Sequence, residues 1–354
     1  MIYIKNILVL LLFALTGLSP AKAEEASGPD MKKLILEHIG DAYEWHITTI
    51  GETHVSIPLP VIVKGQESGW QVFSSSKFHH GHETYNGFYI SQSEAYGGKI
   101  VEKADDGSEI RPIDISITKN VASLLLSSAL LITLILCIAS WYRKRAKRGD
   151  YEAPKGFVGL MEMFIMSIND DVIRPCAGKN YKKFAPYLLT VFFFIFINNL
   201  LGLLPVFPGG ANVTGNLAIT SVLAVFTFVI VNVFGTKEYW KEIINPEVPV
   251  WLKIPPIMPL IEIVGVFTKP FALMVRLFAN ILAGHSIILG LMSMIFVTAT
   301  LTAAINIPLT GVSLLMSIFM NFVELLVAYI QAYVFTMLSA VFIGLAQVEP
   351  HHGK

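Results

Sequence analysis

Long apolar runs separated by short charged segments make up the chain after residue 118. Residues 120–142 and 184–236 contain no Asp, Glu, Lys, Arg or His, and a membrane-spanning helix needs about 20 such residues. Prolines and glycines within 205–210 break the second run, which therefore predicts two spans and a short turn. Two more spans follow residue 259, as long tilted helices of which the last begins near Pro308. The pattern predicts an all-α polytopic membrane protein with about five spans.

Two other segments have different patterns. Residues 156–173 space their apolar positions like an amphipathic helix that lies on a membrane surface. Residues 24–118 contain charges, glycine pairs and β-branched stretches such as HVSIPLPVIV (54–63), which are typical of a small β-rich domain. The predicted organisation is a domain at 24–118 followed by a membrane domain at 119–354.

The first 23 residues have the features of a signal peptide. Lys5 precedes a short apolar stretch, and Ala21-Lys22-Ala23 offers a small-x-small cleavage site. The alternative is an uncleaved anchor helix, but the apolar stretch is shorter than a span requires. We expect cleavage after Ala23 and export of the domain that follows.

Composition excludes an ordinary soluble enzyme. The hydrophobic fraction is 54%, the charged fraction is 15% and the mean hydropathy is +0.60, whereas soluble domains have about 25% charged residues. The 26 basic residues balance the 26 acidic ones, so nothing predicts a nucleic-acid partner. The two cysteines are Cys137 in an apolar run and Cys176 in a basic segment, so neither a disulfide framework nor a cysteine metal site is expected.

The basic residues predict the orientation of the spans. Five of the six residues at 143–148 are Lys or Arg, and they directly follow the first apolar run. Cytoplasmic loops are enriched in these residues, so the end of the first span should face the cytoplasm. The domain at 24–118 should then face the periplasm and the C-terminus the cytoplasm, with the chain in the inner membrane.

Six of the nine histidines precede the first span. His79, His80 and His82 could together ligate zinc, but they lie in a Gly/Ser-rich stretch without nearby cysteines. Solvated turn histidines are the favoured interpretation. We therefore assign neither a metal site nor a cofactor to this chain.

Ionisable residues inside the apolar sequence are the main functional signal. Between Lys269 and Val348 the only Asp, Glu, Lys, Arg or His residues are Arg276, His285 and Glu324. A charged residue at the centre of a membrane helix costs about 2.5–3.5 kcal/mol on insertion scales, so its presence indicates a function. The alternative for Arg276 is a structural ion pair or a residue that reaches an interface.

Helix geometry distributes these groups over different faces. Glu262, Lys269 and Arg276 are spaced by seven and share one face, with Asn280 a turn further on. His285 points about half a turn away from Arg276, at roughly 100° per residue. On the final helix, Glu324 and Gln331 share a face.

These positions predict two separate polar paths. One begins at Glu262 on the cytoplasmic side, and the other contains His285 and Glu324 on the exported side. Arg276 lies between them as a permanent cation, because its guanidinium does not lose its proton in proteins. Such paths would exchange protons with a moving carboxylate of another subunit. Two alternatives remain open, an ion-coupled secondary transporter and a structural scaffold in which Arg276 pairs with Glu324.

Three segments resemble subunit a of the F-type ATP synthases. They are KPFALMVRLFANILAGH (269–285), NFVELLVAYIQAYVFTML (321–338) and KKFAPYLLTVFFFIFINNLLGLLP (182–205), and the likeness extends over about residues 115–347. Two features depart from the family pattern. The exported domain is longer than in the plain bacterial form, and the first hairpin has Asn198, Asn199 and Gly202 where some relatives have acidic residues.

The resemblance implies roles for the intramembrane residues. Arg276 corresponds to the essential arginine, Asn280 and Gln331 to its neighbours, and Glu262 to an acid of the cytoplasmic half-channel. His285 and Glu324 correspond to the exported half-channel. The implied function is non-catalytic proton translocation for ATP synthesis, with ATP chemistry in other subunits, since the chain has no nucleotide motif. The implied partners are a ring of c subunits, the b subunits, the rest of the ATP synthase complex and the lipid bilayer.

Overall fold

The computed structural model describes the chain from residue 40 to residue 347. The ranges left out within it are 51–52, 67–68, 82, 94, 105–106, 150–152, 205–208, 245–256 and 299–301. The predicted signal peptide at residues 1–23 lies outside the described residues. The described part consists of a β-rich N-terminal unit and a helical remainder.

The described part of the N-terminal unit contains three small antiparallel sheets, so the predicted β-rich domain is present. The strands pair in the orders β1-β2, β4-β3-β8 and β5-β6-β7. Alternation of side chains explains the packing, because Val61 and Val63 of β3 are buried beside Phe78, Phe88 and Ile100. The strand bounds are β1 Glu44–Ile50, β2 Thr53–Pro58, β3 Pro60–Gly65, β4 Gly69–Ser74, β5 Phe88–Ile90, β6 Ile100–Lys103, β7 Glu109–Ile110 and β8 Ile113–Asp114.

Two of the clustered histidines lie in a short 3₁₀ segment after β4. His79 and His80 have positive φ values, and they approach Glu83 and Glu44 at 3.6 and 2.7 Å respectively. His82 is outside the described residues. Within the described ranges, no group of three His, Cys, Asp or Glu side chains is arranged to hold a metal ion.

The helical part follows the predicted sequence of spans. Within the described residues, four helical stretches are long and apolar enough to cross a membrane, and a fifth span results if α5 and α6, bent by 100°, are counted together. A π-helix at Ile168–Ile173 follows α2, and α3 and a 3₁₀ turn lead into α4. The helix bounds are α1 Lys119–Arg148, α2 Gly156–Ser167, α3 Arg174–Ala177, α4 Tyr181–Leu203, α5 Leu217–Val233, α6 Lys237–Ile244, α7 Ile257–Thr298 and α8 Ala303–Leu345.

Helices α7 and α8 pack against each other and form the centre of the membrane domain with α4 and α5. The core contains Phe192 and Leu188 of α4, Leu273 and Leu277 of α7, and Ile343 of α8. At 42 and 43 residues, α7 and α8 are each about 63 Å long, roughly twice the hydrocarbon thickness of a bilayer. Such lengths agree with long tilted final helices.

One predicted boundary is wrong. The last helix begins at Ala303, five residues before Pro308, and this proline lies inside it. The helix starts early because the Thr302 carbonyl accepts hydrogen bonds from the N–H groups of Ile305 and Asn306. Pro308 is tolerated close to this end, where only a few backbone hydrogen bonds precede it.

Candidate functional site

A buried histidine–glutamate pair joins α7 to α8. The Nδ1 atom of His285 lies 3.4 Å from Oε1 of Glu324, although the two residues are far apart in sequence. The side chain of Glu324 is only 3% exposed and that of His285 is 18% exposed. The structure therefore brings together the two groups that the sequence placed on the exported-side path.

Two glycines leave room for this pair. A Cβ atom added to Gly284 would lie 3.0 Å from Oε1 of Glu324, so the absent side chain lets the carboxyl group approach the backbone of α7. Near the end of α4, Gly202 faces the imidazole, since its Cβ position would be 3.5 Å from Nε2 of His285. The imidazole ring of His285 therefore lies between Glu324 on one side and the C-terminal end of α4 on the other.

The two asparagines that replace acidic residues of some relatives are buried and hydrogen-bonded. Asn199 donates to the carbonyl of Ala328, one turn beyond Glu324, and accepts from the Thr214 hydroxyl at 2.6 Å. Asn198 accepts from the Ser127 hydroxyl of α1 at 2.9 Å. These amides connect α4 to α8, to α1 and to the loop after α4. The sequence flagged both positions only as departures from a family pattern and gave them no partners.

Replacing Asn199 should loosen the packing around Glu324. We expect Asn199→Ala to lower the stability of the detergent-solubilised protein, by about 1–3 kcal/mol if a buried partner stays unsatisfied. The measurement is the thermal unfolding midpoint. Thr190→Val is the matched control on the same helix, because Thr190 is exposed and, among the described residues, its hydroxyl bonds only to the Pro186 carbonyl of its own helix. An unchanged midpoint for Asn199→Ala would refute the connecting role.

Arg276 lies on a different side of α7 from His285. Its side chain is exposed, and it makes no ion pair or hydrogen bond with any residue that the structure describes. Asn280 is also exposed, whereas Glu262 and Lys269 are half-buried on the same helix. Exposed apolar residues on the same stretch of α7 include Phe271 and Val275. A charged guanidinium on a helix surface inside the membrane is energetically costly unless an anionic or polar partner binds it.

The structure separates the remaining predicted residues from the pair. Gln331 is buried on α8, two turns beyond Glu324, and among the described contacts no hydrogen bond joins it to Arg276. The scaffold alternative required Arg276 to pair with Glu324. That pairing is not observed, because the carboxyl group of Glu324 faces His285.

These features define a polytopic helical membrane protein with ionisable groups on separate faces of one long helix. The family model described as ATP synthase A chain matches residues 123–344, which is more than half of the chain. A second model, described as a domain of unknown function, matches residues 34–119.

Curated relatives agree with the first match. The chain is 39% identical to ATP synthase subunit a of Chloroherpeton thalassium over 251 residues, which cover 69% of this chain and 71% of the relative. It is 44% identical to ATP synthase subunit a 2 of Chlorobaculum tepidum over 253 residues, covering 69% and 68%. For subunit a of Chlorobium phaeobacteroides strain DSM 266, the values are 40% over 265 residues, covering 73% and 72%. The chain belongs to the ATP synthase subunit a family.

Proposed function

We propose that this chain moves protons between the two sides of the membrane and the c-ring of an F-type ATP synthase, without itself carrying out ATP chemistry. It is a proton-translocating membrane subunit of that complex. The observation that carries the half-channel mechanism is the separation on α7 of an exposed Arg276, which has no partner among the described residues, from a buried His285–Glu324 pair. Family membership favours this function over a secondary transporter or a scaffold.

The exported half-channel would use His285 and Glu324. Histidine has an unperturbed pKa near 6.5 and can exchange protons in the physiological range. The carboxyl group of Glu324, 3.4 Å away, can pass a proton to or from the imidazole of His285 without large movement. Protons would leave this pair to neutralise a carboxylate on a ring subunit.

The cytoplasmic half-channel would begin near Glu262. A small cavity of about 20 Å³ lies on the same side of the helices, lined by Lys269, Asn232 and Tyr239 among others. That volume is enough for about one water molecule. Together with the half-buried Glu262, these groups support a polar route toward the cytoplasm.

Arg276 and Asn280 would separate the two half-channels and face the c-ring. The permanently charged guanidinium favours the ionised form of a ring carboxylate that passes it, and it cannot relay a proton. Exposed apolar residues on α7 and α8 provide a surface for the ring and for lipid. Gln331 would support this region from α8. A transmembrane potential supplies about 2.3 kcal/mol per charge per 100 mV, so rotation must couple several protons to each ATP.

The deciding experiment is purification of the intact complex followed by reconstitution into liposomes. We expect the chain to copurify with a ring of small c subunits and with the b subunits, and ATP addition to acidify the liposome lumen. The solubilised chain alone should show no nucleotide hydrolysis. Copurification without any ATP-driven proton movement would contradict the proposal.

We further propose that the N-terminal unit faces the periplasm and that the chain resides in the inner membrane. The β-rich unit lies at the start of α1, and the basic residues lie at the opposite end, where Arg145 stacks 4.7 Å from the Trp141 ring. Aromatic residues are enriched at both membrane interfaces, and the excess of basic residues marks this one as cytoplasmic. The predicted domain boundaries at 23 and 118 belong to this proposal.

Cysteine labelling of intact cells tests the orientation. In a background lacking Cys137 and Cys176, an impermeant maleimide should label a cysteine at the exposed Ala95 and should not label one at the exposed Ala146. After cell lysis both positions should react. Labelling of position 146 alone in intact cells would reverse the proposed topology.

A further inference from the structure

A cavity of about 410 Å³ lies between the N-terminal unit and the membrane helices. It is open rather than sealed, and at about 30 Å³ per water molecule it has room for on the order of ten waters. Its wall combines residues from both parts of the chain, and six of its ten lining residues have polar side chains. The residues that matter here are Asp41, Lys99, Asn120, Asn212, Asn216 and Ser286.

The wall is held in place by contacts between the two units. Oδ1 of Asp41 accepts a hydrogen bond from the backbone N–H of Asn120 at 3.0 Å, in the first turn of α1. Trp45 donates from Nε1 to the Gly209 carbonyl, and its ring is buried against Ala211 and Val213. The β-rich unit is therefore fixed to the start of α1 and to the loop after α4.

Two buried amides in this wall each have one polar atom without a hydrogen-bond partner among the described residues. Asn120 is 3% exposed and Asn212 is 8% exposed, yet Oδ1 of the first and Nδ2 of the second have no hydrogen-bond partner among the described residues. Leaving such a group unsatisfied costs about 1–3 kcal/mol. Both atoms are enclosed by protein, so a small movement of either side chain toward the cavity is needed before water there satisfies them.

The cavity reaches the helix that carries the histidine. Leu282 and Ser286 of α7 belong to its wall, and Ser286 directly follows His285. Nε2 of His285 lies near Gly202 of α4. A Cβ atom at Gly202 would also be 3.6 Å from the carbonyl oxygen of Ala211, in the loop after α4. The cavity thus reaches the residue next to His285, although neither His285 nor Glu324 is part of its wall.

We infer that the N-terminal unit and the loop at 209–216 enclose a hydrated antechamber that conducts protons to His285 and Glu324. The inference assigns a role to a domain of unknown function, and it rests on the proposed function of the pair. Water molecules in the cavity carry the protons, and the β-rich unit forms its outer wall. Protons that enter from the exported side pass Lys99 and Asp41 before they reach α7.

Blocking the cavity with a bulky reagent tests this inference. In the background lacking Cys137 and Cys176, Lys99→Cys is labelled in intact cells with a large sulfonated maleimide, and inverted vesicles are then prepared. We expect loss of most of the ATP-driven pumping rate, and a smaller loss with a small methanethiosulfonate reagent. Val72→Cys is the matched control, since Val72 is 71% exposed on the same unit and outside the cavity wall. Its labelling should leave pumping unchanged.

Ser286→Cys provides a second, independent measurement. The small impermeant reagent should reach this position in intact cells, and prior labelling of Lys99→Cys by the large reagent should protect it in the double variant. Complete labelling at Lys99→Cys with an unchanged pumping rate would overturn the antechamber while the proposed function stands. Failure of the unlabelled complex to pump protons would instead contradict the proposed function itself.

Discussion

Arg276→Lys is expected to abolish ATP-driven proton pumping although it keeps a positive charge. Lysine has a compact ammonium that loses its proton more readily when desolvated, and it lacks the planar fork of the guanidinium. Arg276 is exposed on an apolar helix surface without a partner among the described residues, so its charge is available to a passing carboxylate. The measurement is dye quenching in inverted vesicles, with ATP hydrolysis recorded in parallel.

The matched control for this variant is Val275→Leu. Val275 precedes Arg276 on α7 and is also exposed, so the substitution alters the same surface without altering its charge. Pumping should be close to normal. Coupled pumping at the normal rate in Arg276→Lys would contradict the role of the arginine.

Glu324→Gln is expected to slow pumping by about 100-fold, the lower end of what a positioned proton-transfer group contributes. The amide keeps the shape of the carboxyl group but cannot exchange a proton, so the complex should still assemble. Because His285 and Glu324 are in direct contact, their effects should be coupled rather than additive. The exchange of His285→Glu with Glu324→His should therefore recover part of the activity that either single exchange loses.

Ser293→Ala is the control for the pair. Ser293 lies two turns beyond His285 on α7, and its hydroxyl bonds only to the Gly290 carbonyl of its own helix. Pumping should be unaffected. Harmless single exchanges, or a double exchange no better than the worse single one, would show that the two residues do not form one relay.

The membrane spans and the His285–Glu324 pair could be predicted because residue types alone distinguish them. Uncharged runs of more than 20 residues have few stable alternatives to a membrane helix. His285 and Glu324 were recognisable because they and Arg276 are the only Asp, Glu, Lys, Arg or His residues between Lys269 and Val348.

Helix lengths alone do not show that His285 and Glu324 meet. Helix α7 ends at Thr298 and α8 begins at Ala303. Counted from these ends, the residues lie about 20 and 32 Å along their helices, at 1.5 Å per residue. Their contact therefore depends on how the two long helices are offset, which local sequence does not determine.

Contacts between distant segments could not be read from the sequence. The bonds of Asn199 to Thr214 and to Ala328 depend on how the loop after α4 folds against α8. The same holds for Trp45, whose burial against that loop defines where the β-rich unit docks. Strand patterning predicted the existence of this unit but gave no information about the surface it covers.

Passive proton conduction by the membrane sector tests the central claim, two half-channels separated by Arg276, most directly. After removal of the ATP-hydrolysing part of the complex, liposomes containing Arg276→Ala should conduct protons down an imposed gradient even when the ring cannot turn. Adding Glu324→Gln to that variant should strongly reduce the leak, because the leak would pass through the exported half-channel. No leak in Arg276→Ala, or a leak that is unchanged by Glu324→Gln, would contradict the account.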